Sequence, residues 1–310
     1  MKRCPITYEE IPNNQTYSKK GIQQLSRRLT DLKVFNYSKE EQIEEAHKRV
    51  SKMSIQGVQP KLSGKLNVND KTFEITTTGG KYILKPQNPS YPELPENEDL
   101  TMKLAALIDI ETPTHGLLYS KDQSLTYFIK RFDRTIKSDK IHVEDFAQLS
   151  DQSRNTKYSS SMETVVKMMN TFCTFPAVEK LKLFNRTLFN YLIGNEDMHL
   201  KNFSIIHMDN HIKLTPAYDF LNTTIALKNP QEELALPLNG KKRNMKRQDF
   251  ISYFGQEILG LSTQAIDTIL NSLEHEIPNF DDLIEISFLS DNMKNKFKEI
   301  LDSRRSILFS

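Results

Sequence analysis

Two carboxylates and one amide stand close together in the second half of the sequence. Asp197 precedes Asn202 by five residues, and Asp219 follows after a short segment that is predicted to form a β-hairpin. Carboxylate and amide oxygens are ligands that Mg²⁺ prefers in proteins. The three residues are therefore candidates for a Mg²⁺ site, although Asp and Asn are also frequent in polar turns that only reverse the chain.

Protein kinases use the same order of residues for phosphoryl transfer. In that template the first Asp orients the hydroxyl group that attacks the γ-phosphate of ATP, and the Asn and the later Asp hold Mg²⁺. A kinase also needs a strand lysine, which contacts the α- and β-phosphates, and a glutamate in the following helix, which holds this lysine. The sequence upstream of Asp197 offers candidates for both.

Lys85 and Glu98 are these candidates. Lys81–Pro86 has the β-branched and apolar pattern of a buried strand, in which a lysine is costly to bury unless it meets an anion. Pro95–Ile108 has the pattern of an amphipathic helix with Glu98 in its first turn. Acidic residues at a helix N-terminus also stabilise the helix by about 0.3–1 kcal/mol, so a purely structural role for Glu98 stays open.

The remaining segments complete a kinase-like order. The turn-rich segment 54–64 is a candidate phosphate-covering loop, although its two glycines depart from the G-x-G-x-x-G and P-loop patterns. Further strands are predicted between residues 65 and 132, and the end of the last strand would present backbone groups to adenine as a hinge. From residue 143 the apolar residues recur at helical spacing, and the basic loop 241–247 takes the place of an activation segment.

These elements predict an α+β fold that is two-lobed and protein-kinase-like. Residues 1–50 are predicted to be a basic helical extension. Residues 51–134 are predicted to form a small antiparallel β N-lobe with one main helix, the phosphate-covering loop and the hinge. Residues 135–310 are predicted to form a larger, all-helical C-lobe with the catalytic loop and the activation segment, and the length of 310 residues suits such a division.

The composition argues against several other classes of protein. The net charge is only +2, which gives no general attraction to nucleic acids or membranes. Cys4 and Cys173 lack the spacing of a zinc site or a disulfide framework, and no segment is long and apolar enough to span a bilayer. We therefore expect a soluble protein of the reducing cytoplasm, without direct readout of nucleic acid and without membrane contact.

Together the motifs resemble the HipA-type serine/threonine kinase toxins, and most closely the short form called HipT of three-component HipBST toxin–antitoxin systems. The run Gly194–Ser204 is the most specific match. The other matching runs are Gly57–Ser63, Tyr82–Pro86, Glu96–Glu98, Lys130–Arg134, Glu144–Gln148 and Pro216–Phe220.

The resemblance implies ATP-dependent phosphorylation of a serine on an aminoacyl-tRNA synthetase, which stops translation. Asp197 would be the catalytic base, and Asn202 and Asp219 would hold Mg²⁺. His199 and Lys201 would stabilise charge on the transferred phosphate. The residues implied in nucleotide binding are Ser54, Gln56, Gly57, Val58, Gln59 and Lys61 in the loop, Lys85 with Glu98, Lys130, Arg131 and Phe132 near adenine, and Asp219.

The resemblance also implies self-regulation and partners. Phosphorylation of Ser54, with Ser51 and Ser63 as alternatives, would place a dianion where the ATP phosphates belong and would repel them. An antitoxin with a helix-turn-helix DNA-binding domain (HipB-like) is an expected partner. We expect the small N-terminal subdomain of longer family members to be missing here and to be supplied by a separate HipS-like protein.

Two other interpretations of the same residues stay open. A metal-dependent hydrolase would use Asp197, His199, His207, His211 and Asp219, because His and Asp side chains also bind divalent metals. This interpretation leaves the predicted strand lysine and helix glutamate without a role. A catalytically silent, kinase-like binding module is the third interpretation, and it requires a loop that cannot close on ATP.

Overall fold

The computed structural model describes residues 2–50, 59–150, 160–228 and 230–310. The chain divides into two units. The first contains the described residues of Met1–Leu100, Pro113–Asp139 and Ile286–Leu289, and the second contains those of Thr101–Thr112, Lys140–Glu285 and Ser290–Ser310. The short segment Ile286–Leu289 therefore belongs to the first unit, where the ring of Phe288 lies 5.3 Å from that of Tyr8.

The first fifty residues contribute regular elements to the first unit. They form the antiparallel pair β1 (Lys2–Arg3) and β2 (Glu10–Ile11) and the helices α1 (Lys19–Leu25) and α2 (Lys39–Val50). A capping box stands at the start of α2. The Ser38 hydroxyl accepts from the Glu41 N–H at 3.3 Å, and the Glu41 carboxylate accepts from the Ser38 N–H at 2.7 Å. This reciprocal pairing satisfies two N–H groups that the helix itself leaves without partners.

A five-stranded antiparallel sheet forms the centre of the first unit. Its strands are β3 (Leu62–Asn67), β4 (Thr72–Ile75), β5 (Tyr82–Lys85), β6 (His115–Tyr119) and β7 (Leu125–Lys130), and α3 (Leu94–Leu107) lies between β5 and β6 in sequence. The strand order is β4-β3-β5-β7-β6. The predicted strands and helix are confirmed with shifts of a few residues at their ends. Because β5 is the central strand, Lys85 lies in the middle of the sheet.

Side chains from residues 2–50 share one core with this sheet, which corrects the prediction of a separate extension. The core joins Cys4, Ile6, Tyr17, Leu29, Leu32 and Phe35 to Leu62, Phe73, Leu84 and Phe128. The buried side chain of Gln42 also hydrogen bonds to Ser120 and Thr126, both at 2.9 Å. The apolar residues of this region stand mostly in irregular segments, so they show neither a helix nor a strand period in the sequence.

The second unit is mainly helical and also contains a small sheet. Its helices are α4 (Phe146–Leu149), α5 (Met162–Phe172), α6 (Pro176–Leu192), α7 (Thr223–Ala226), α8 (Thr263–Glu285) and α9 (Asp291–Leu308), with a π-helix over Asp249–Ile258. Strands β8 (Val143–Asp145), β9 (Ser204–Met208) and β10 (His211–Leu214) pair in the antiparallel order β10-β9-β8. The predicted hairpin after Asn202 is therefore confirmed as β9 and β10, and the predicted all-helical character of this part holds except for these strands.

Helix α8 is continuous where the sequence predicts two separate helices, over 262–273 and 280–288. Its buried side chains form one stripe at helical spacing, Leu270, Leu273, Ile277, Phe280 and Ile284. Pro278 lies inside the helix but on its exposed face. The carbonyl group that loses its hydrogen bond there can be solvated, so the packed stripe outweighs the break. Within the described residues, no helix combines the length and the apolar character needed to cross a membrane.

Candidate functional site

Lys85 and Glu98 form a buried ion pair in the first unit. Strand β5 supplies the lysine and the first turns of α3 supply the glutamate, and the Lys85 Nζ lies 2.5 Å from the Glu98 Oε1. The two side chains are only 2% and 3% exposed. The ammonium group also lies 5.6 Å from the centre of the Tyr127 ring, within the range of a cation–π interaction. The pairing predicted from the sequence is therefore present in the structure.

The other acids at the start of α3 have separate partners. The Gln87 Nε2 donates to both carboxylate oxygens of Glu96, at 2.7 and 2.9 Å, and burial raises the pKa of Glu96 to about 7. Asp99 is fully buried and lies 2.8 Å from the His115 Nδ1. These acids are buried with specific partners, so favourable charge at a helix N-terminus is not sufficient to explain them.

The predicted hinge residues lie at the end of β7 and just after it. The backbone N–H groups of Lys130 and Arg131 donate to the carbonyl oxygens of Thr114 and Lys81, both at 2.8 Å. These two donors are therefore already used and cannot serve adenine without breaking a bond. The Arg131 guanidinium binds both carboxylate oxygens of Asp133, at 2.9 and 2.7 Å.

A glycine turn ends α6 and starts the predicted catalytic loop. Gly194 has φ of +70°, and a Cβ atom there would lie 2.8 Å from the Thr224 Oγ1, so this turn requires glycine. The Thr224 hydroxyl donates to the Gly194 carbonyl at 2.9 Å. The Thr223 Oγ1 accepts from the Glu196 N–H at 2.6 Å. The start of α7 thus holds the loop where it leaves α6.

A chain of amide side chains connects α6 to Asp197. The Asn190 Nδ2 donates to the Arg186 carbonyl, and the Asn195 Nδ2 donates to the Asn190 Oδ1, both at 2.7 Å. The Asn195 Oδ1 in turn accepts from the Asp197 N–H at 3.1 Å. Asn190 and Asn195 are buried, so they position the loop from its inner side and do not present themselves to a ligand.

Asp197 itself combines a fixed backbone with an accessible carboxylate. Its carbonyl oxygen accepts from the His199 N–H at 2.8 Å and from the Asn202 Nδ2 at 2.6 Å. Its side chain is 50% exposed, and the His199 Nε2 lies 3.7 Å from the Asp197 Oδ1. The bond from the Asn202 Nδ2 leaves the Oδ1 of the same amide as the atom that would bind a cation, which fits a Mg²⁺ ligand.

Tyr218 connects the segment before Asp219 to the catalytic loop. The Tyr218 hydroxyl donates to the Lys201 carbonyl at 2.8 Å and pairs with the Ser204 hydroxyl at 2.5 Å, and burial raises its pKa. Asp219, the next residue, has φ of +55°, a conformation that Asp tolerates better than most residues. Phe220 then packs against Phe189 with ring centres 5.7 Å apart. Asp219 is thus held between two anchored neighbours.

Several of these positioning residues were missed in the sequence. Tyr218, Thr223 and Thr224 act through hydroxyl groups whose partners are distant in sequence, and no spacing rule links them. Arg186 lies in α6, where the sequence shows only an apolar pattern at helical spacing. It is buried, donates to the Thr215 carbonyl at 2.7 Å, and has its pKa lowered to about 10 by burial.

The remaining predicted residues are those of the phosphate-covering loop and the histidines of the hydrolase interpretation. Ser51, Ser54, Gln56, Gly57 and Val58 lie outside the described residues, whereas Gln59 and Lys61 are partly buried just before β3. His207 lies beside His142 and Glu144, and the His211 ring lies 5.2 Å from that of Phe175. Among the described residues, the His/Asp set of the hydrolase interpretation is not assembled as a cluster of three or more metal ligands.

The chain has clear relatives. Residues 53–279 match the family described as the HipA-like C-terminal domain. The chain is 32% identical over 244 residues to a Haemophilus influenzae protein named "Putative kinase", a match that covers 72% of this chain and 69% of that protein. It is 26% identical over 208 residues to the serine/threonine-protein kinase toxin HipA of Shewanella oneidensis, a match that covers 61% of this chain and 47% of the toxin.

The fold is similar to that of a solved structure as well. The match is to a chain of the Shewanella oneidensis MR-1 toxin–antitoxin complex of HipA, HipB and operator DNA, with a TM-score of 0.69 and 21% identity. It covers 91% of this chain and 73% of that chain. The predicted kinase-like fold of the HipA type is therefore confirmed. Two further relatives are matched over only 48% of their own length, so this chain spans about half of several relatives.

Removal of one partner of the buried pair should destabilise the protein more than removal of both. We expect Lys85→Met to lower the free energy of unfolding by about 3–5 kcal/mol, because it leaves the Glu98 carboxylate buried without the lysine. The double variant Lys85→Met/Glu98→Leu should recover most of this loss. Urea unfolding of the single and double variants measures both values.

The exposed pair of Lys65 and Glu74 on the same sheet supplies the control. Lys65→Met should cost about 1 kcal/mol or less, because water already screens this pair. A double variant as unstable as Lys85→Met alone would contradict the interpretation.

The raised pKa of Glu96 predicts a pH dependence of stability. A carboxyl group whose pKa is higher in the folded state stabilises the fold fully below its unfolded pKa, and this contribution is lost as the pH rises through about 7. A shift of this size corresponds to on the order of 3 kcal/mol. In urea unfolding, Glu96→Gln should remove this loss of stability between pH 5 and pH 8. Glu44→Gln, at an exposed position of α2, should leave the loss unchanged. Parallel pH profiles of wild type and Glu96→Gln would refute the assignment.

Proposed function

This chain belongs to the family of the HipA-like C-terminal domain, and we propose that it is an ATP-dependent serine/threonine protein kinase that acts as the toxin of a toxin–antitoxin system. The buried pair of Lys85 and Glu98 carries the proposal. Burial of an ammonium group in the central strand of a sheet is costly, and a hydrophobic residue would be cheaper for the fold alone. A kinase needs such a lysine for the α- and β-phosphates of ATP.

The catalytic loop supports the same reaction. The hydroxyl oxygen of the protein substrate attacks the γ-phosphorus, its proton passes to the Asp197 carboxylate, and ADP leaves with the electrons of the broken P–O bond. Mg²⁺ held by Asn202 and Asp219 would neutralise the phosphate charge. His199 and Lys201 stabilise charge on the transferred group. The half-exposed carboxylate and the hydrogen-bonded backbone of Asp197 suit a base that must meet a macromolecular substrate.

The finer assignments rest on the family resemblance. The proposed substrate is a serine of an aminoacyl-tRNA synthetase, and the proposed partners are a HipB-like antitoxin and a HipS-like protein. The Shewanella neighbour assembles with HipB and operator DNA, which supports an antitoxin partner for this chain. On the same resemblance, we propose that the chain is of the short HipT form.

Self-phosphorylation at Ser54 is the proposed control of the kinase. A phosphate at this position of the loop would repel the phosphates of ATP. The alternative Ser63 is less suited to modification, because β3 pairs with both β4 and β5 around it. Its hydroxyl also packs over Gly80, where a Cβ atom would lie only 2.0 Å away.

The kinase proposal predicts that Asp197→Asn abolishes phosphate transfer and retains ATP binding. Purified protein with radiolabelled ATP, Mg²⁺ and a panel of aminoacyl-tRNA synthetases should label a synthetase or the chain itself. We expect a loss of about 10²–10⁴-fold in rate, the usual contribution of a positioned base. Asp209→Asn, in the turn of the β9–β10 hairpin, is the matched control and should label like wild type.

The outcomes separate the three interpretations of the sequence. Labelling of wild type alone supports a kinase, and equal labelling of wild type and Asp197→Asn contradicts the role of Asp197. ATP binding without any transfer indicates a silent binding module. Metal-dependent hydrolysis that needs no nucleotide would indicate a hydrolase.

The control proposal predicts one phosphate on Ser54 after incubation with ATP and Mg²⁺. Intact-mass analysis should show a single added phosphate on wild type and on Ser63→Ala, and none on Ser54→Ala. The phosphorylated protein should bind ATP more weakly than the unmodified protein, because of repulsion between the two sets of phosphates. Undiminished phosphate on Ser54→Ala would exclude this serine as the site.

A further inference from the structure

Three side chains with metal-binding atoms meet on the surface of the second unit, and none of them is among the residues assigned to catalysis. They are His142, Glu144 and His207, and one ligand atom from each lies within 4.8 Å of the others. The His142 Nε2 is 2.9 Å from the Glu144 Oε2, and the His207 Nε2 is 3.9 Å from the same oxygen. We propose that these residues form a binding site for a divalent transition-metal ion of the zinc type.

The backbone fixes this arrangement. The His207 N–H donates to the His142 carbonyl at 3.0 Å, which extends the pairing of β8 with β9 by one residue. The two imidazole rings therefore stand opposite each other on neighbouring strands, with centres 4.4 Å apart. Glu144 lies two residues after His142, and alternation along a strand returns its side chain to the same face.

The spacing suits a tetrahedral ion. Zinc binds imidazole nitrogen and carboxylate oxygen at about 2.0–2.2 Å, so two ligands of one tetrahedral ion lie about 3.4 Å apart. The observed separations of 2.9 and 3.9 Å bracket this value. The side chains of His142, Glu144 and His207 are 60%, 35% and 39% exposed, so small rotations can equalise the distances.

The types of the three ligands also indicate which ions this site would not bind. Two imidazoles and one carboxylate suit Zn²⁺ and its neighbours, whereas Mg²⁺ prefers oxygen ligands and usually keeps several waters. Three protein ligands leave one coordination position, which solvent can fill. Imidazole binds a metal ion through a ring nitrogen that carries no proton, so binding should weaken at acidic pH.

The ion would join β8 to β9. Strand β9 begins two residues after Asn202, and the Phe146 N–H, directly after β8, donates to the Phe203 carbonyl at 3.0 Å. The metal therefore braces the small sheet from which the catalytic loop emerges. This inference does not depend on the proposed kinase activity, because the three ligands lie outside the residues assigned to it.

Titration of tag-free, chelator-treated full-length protein with Zn²⁺ tests the proposal. Isothermal titration calorimetry should show one Zn²⁺ per chain and no binding of Mg²⁺ at this site. His142→Ala and His207→Ala should each weaken Zn²⁺ binding at least tenfold. His211→Ala, an exposed histidine on the neighbouring strand β10, is the matched control and should bind like wild type.

A second set of measurements does not depend on how well the His142 and His207 variants fold. Zn²⁺ should raise the Tm of wild type and of His211→Ala, since the ion binds the folded state, in which β8 and β9 are paired. Histidine ring signals of His142 and His207 should shift in NMR spectra of wild type, and those of His211 should not.

Three results would overturn the proposal. The first is the absence of Zn²⁺ binding by wild type. The second is wild-type affinity in both His142→Ala and His207→Ala. The third is loss of binding in Asp219→Asn with retention in His142→Ala, which would assign the ion to the Mg²⁺ position.

Discussion

The ammonium group of Lys85 can be buried in the central strand only because a carboxylate meets it there. Each charge alone would cost several kcal/mol in desolvation, and the pair is tolerated because its geometry is close. Other buried acids of α3 also need partners. The first turns of this helix bury Glu96 and Asp99, and each of them has its own partner. Rotation of this helix, or a shift along its axis, would break three interactions at once. Polar contacts therefore help to set the position of the first turns of α3 against the sheet.

In the second unit, the carboxylate of Asp197, which we propose as the catalytic base, is accessible. The loop fixes Asp197 through its backbone, with the carbonyl held by His199 and Asn202 and the N–H held by Asn195. The side chain is left half exposed. Hydrogen bonds of Asn190 and Thr224 to backbone carbonyl groups support the loop. The side chain of Asp197 is thus accessible, while its main chain is fixed in place.

Local patterns in the sequence were sufficient to predict the elements that hold the candidate site residues. The strand of Lys85, the helix of Glu98 and the hairpin between Asn202 and Asp219 each have a clear period or turn signal, and the structure contains all three. The role of residues 2–50 was not predictable in this way, because Cys4, Leu29 and Phe35 enter the core from irregular segments. Hydroxyl contacts such as that of Tyr218 were also hidden, since they depend on tertiary structure and on no spacing along the chain.

The contact between Tyr8 and Phe288 has a consequence for how the protein is made. Both residues belong to the first unit, yet they stand near opposite ends of the sequence, and Tyr8 is almost fully buried. A growing chain exposes its N-terminal segments first, and the closure of so long a loop carries an entropic cost. The first unit cannot acquire all of its contacts until the ribosome has passed residue 288. Nascent chains of this protein therefore stay incompletely folded, in the unit that holds Lys85, until the segment Ile286–Leu289 has been synthesised.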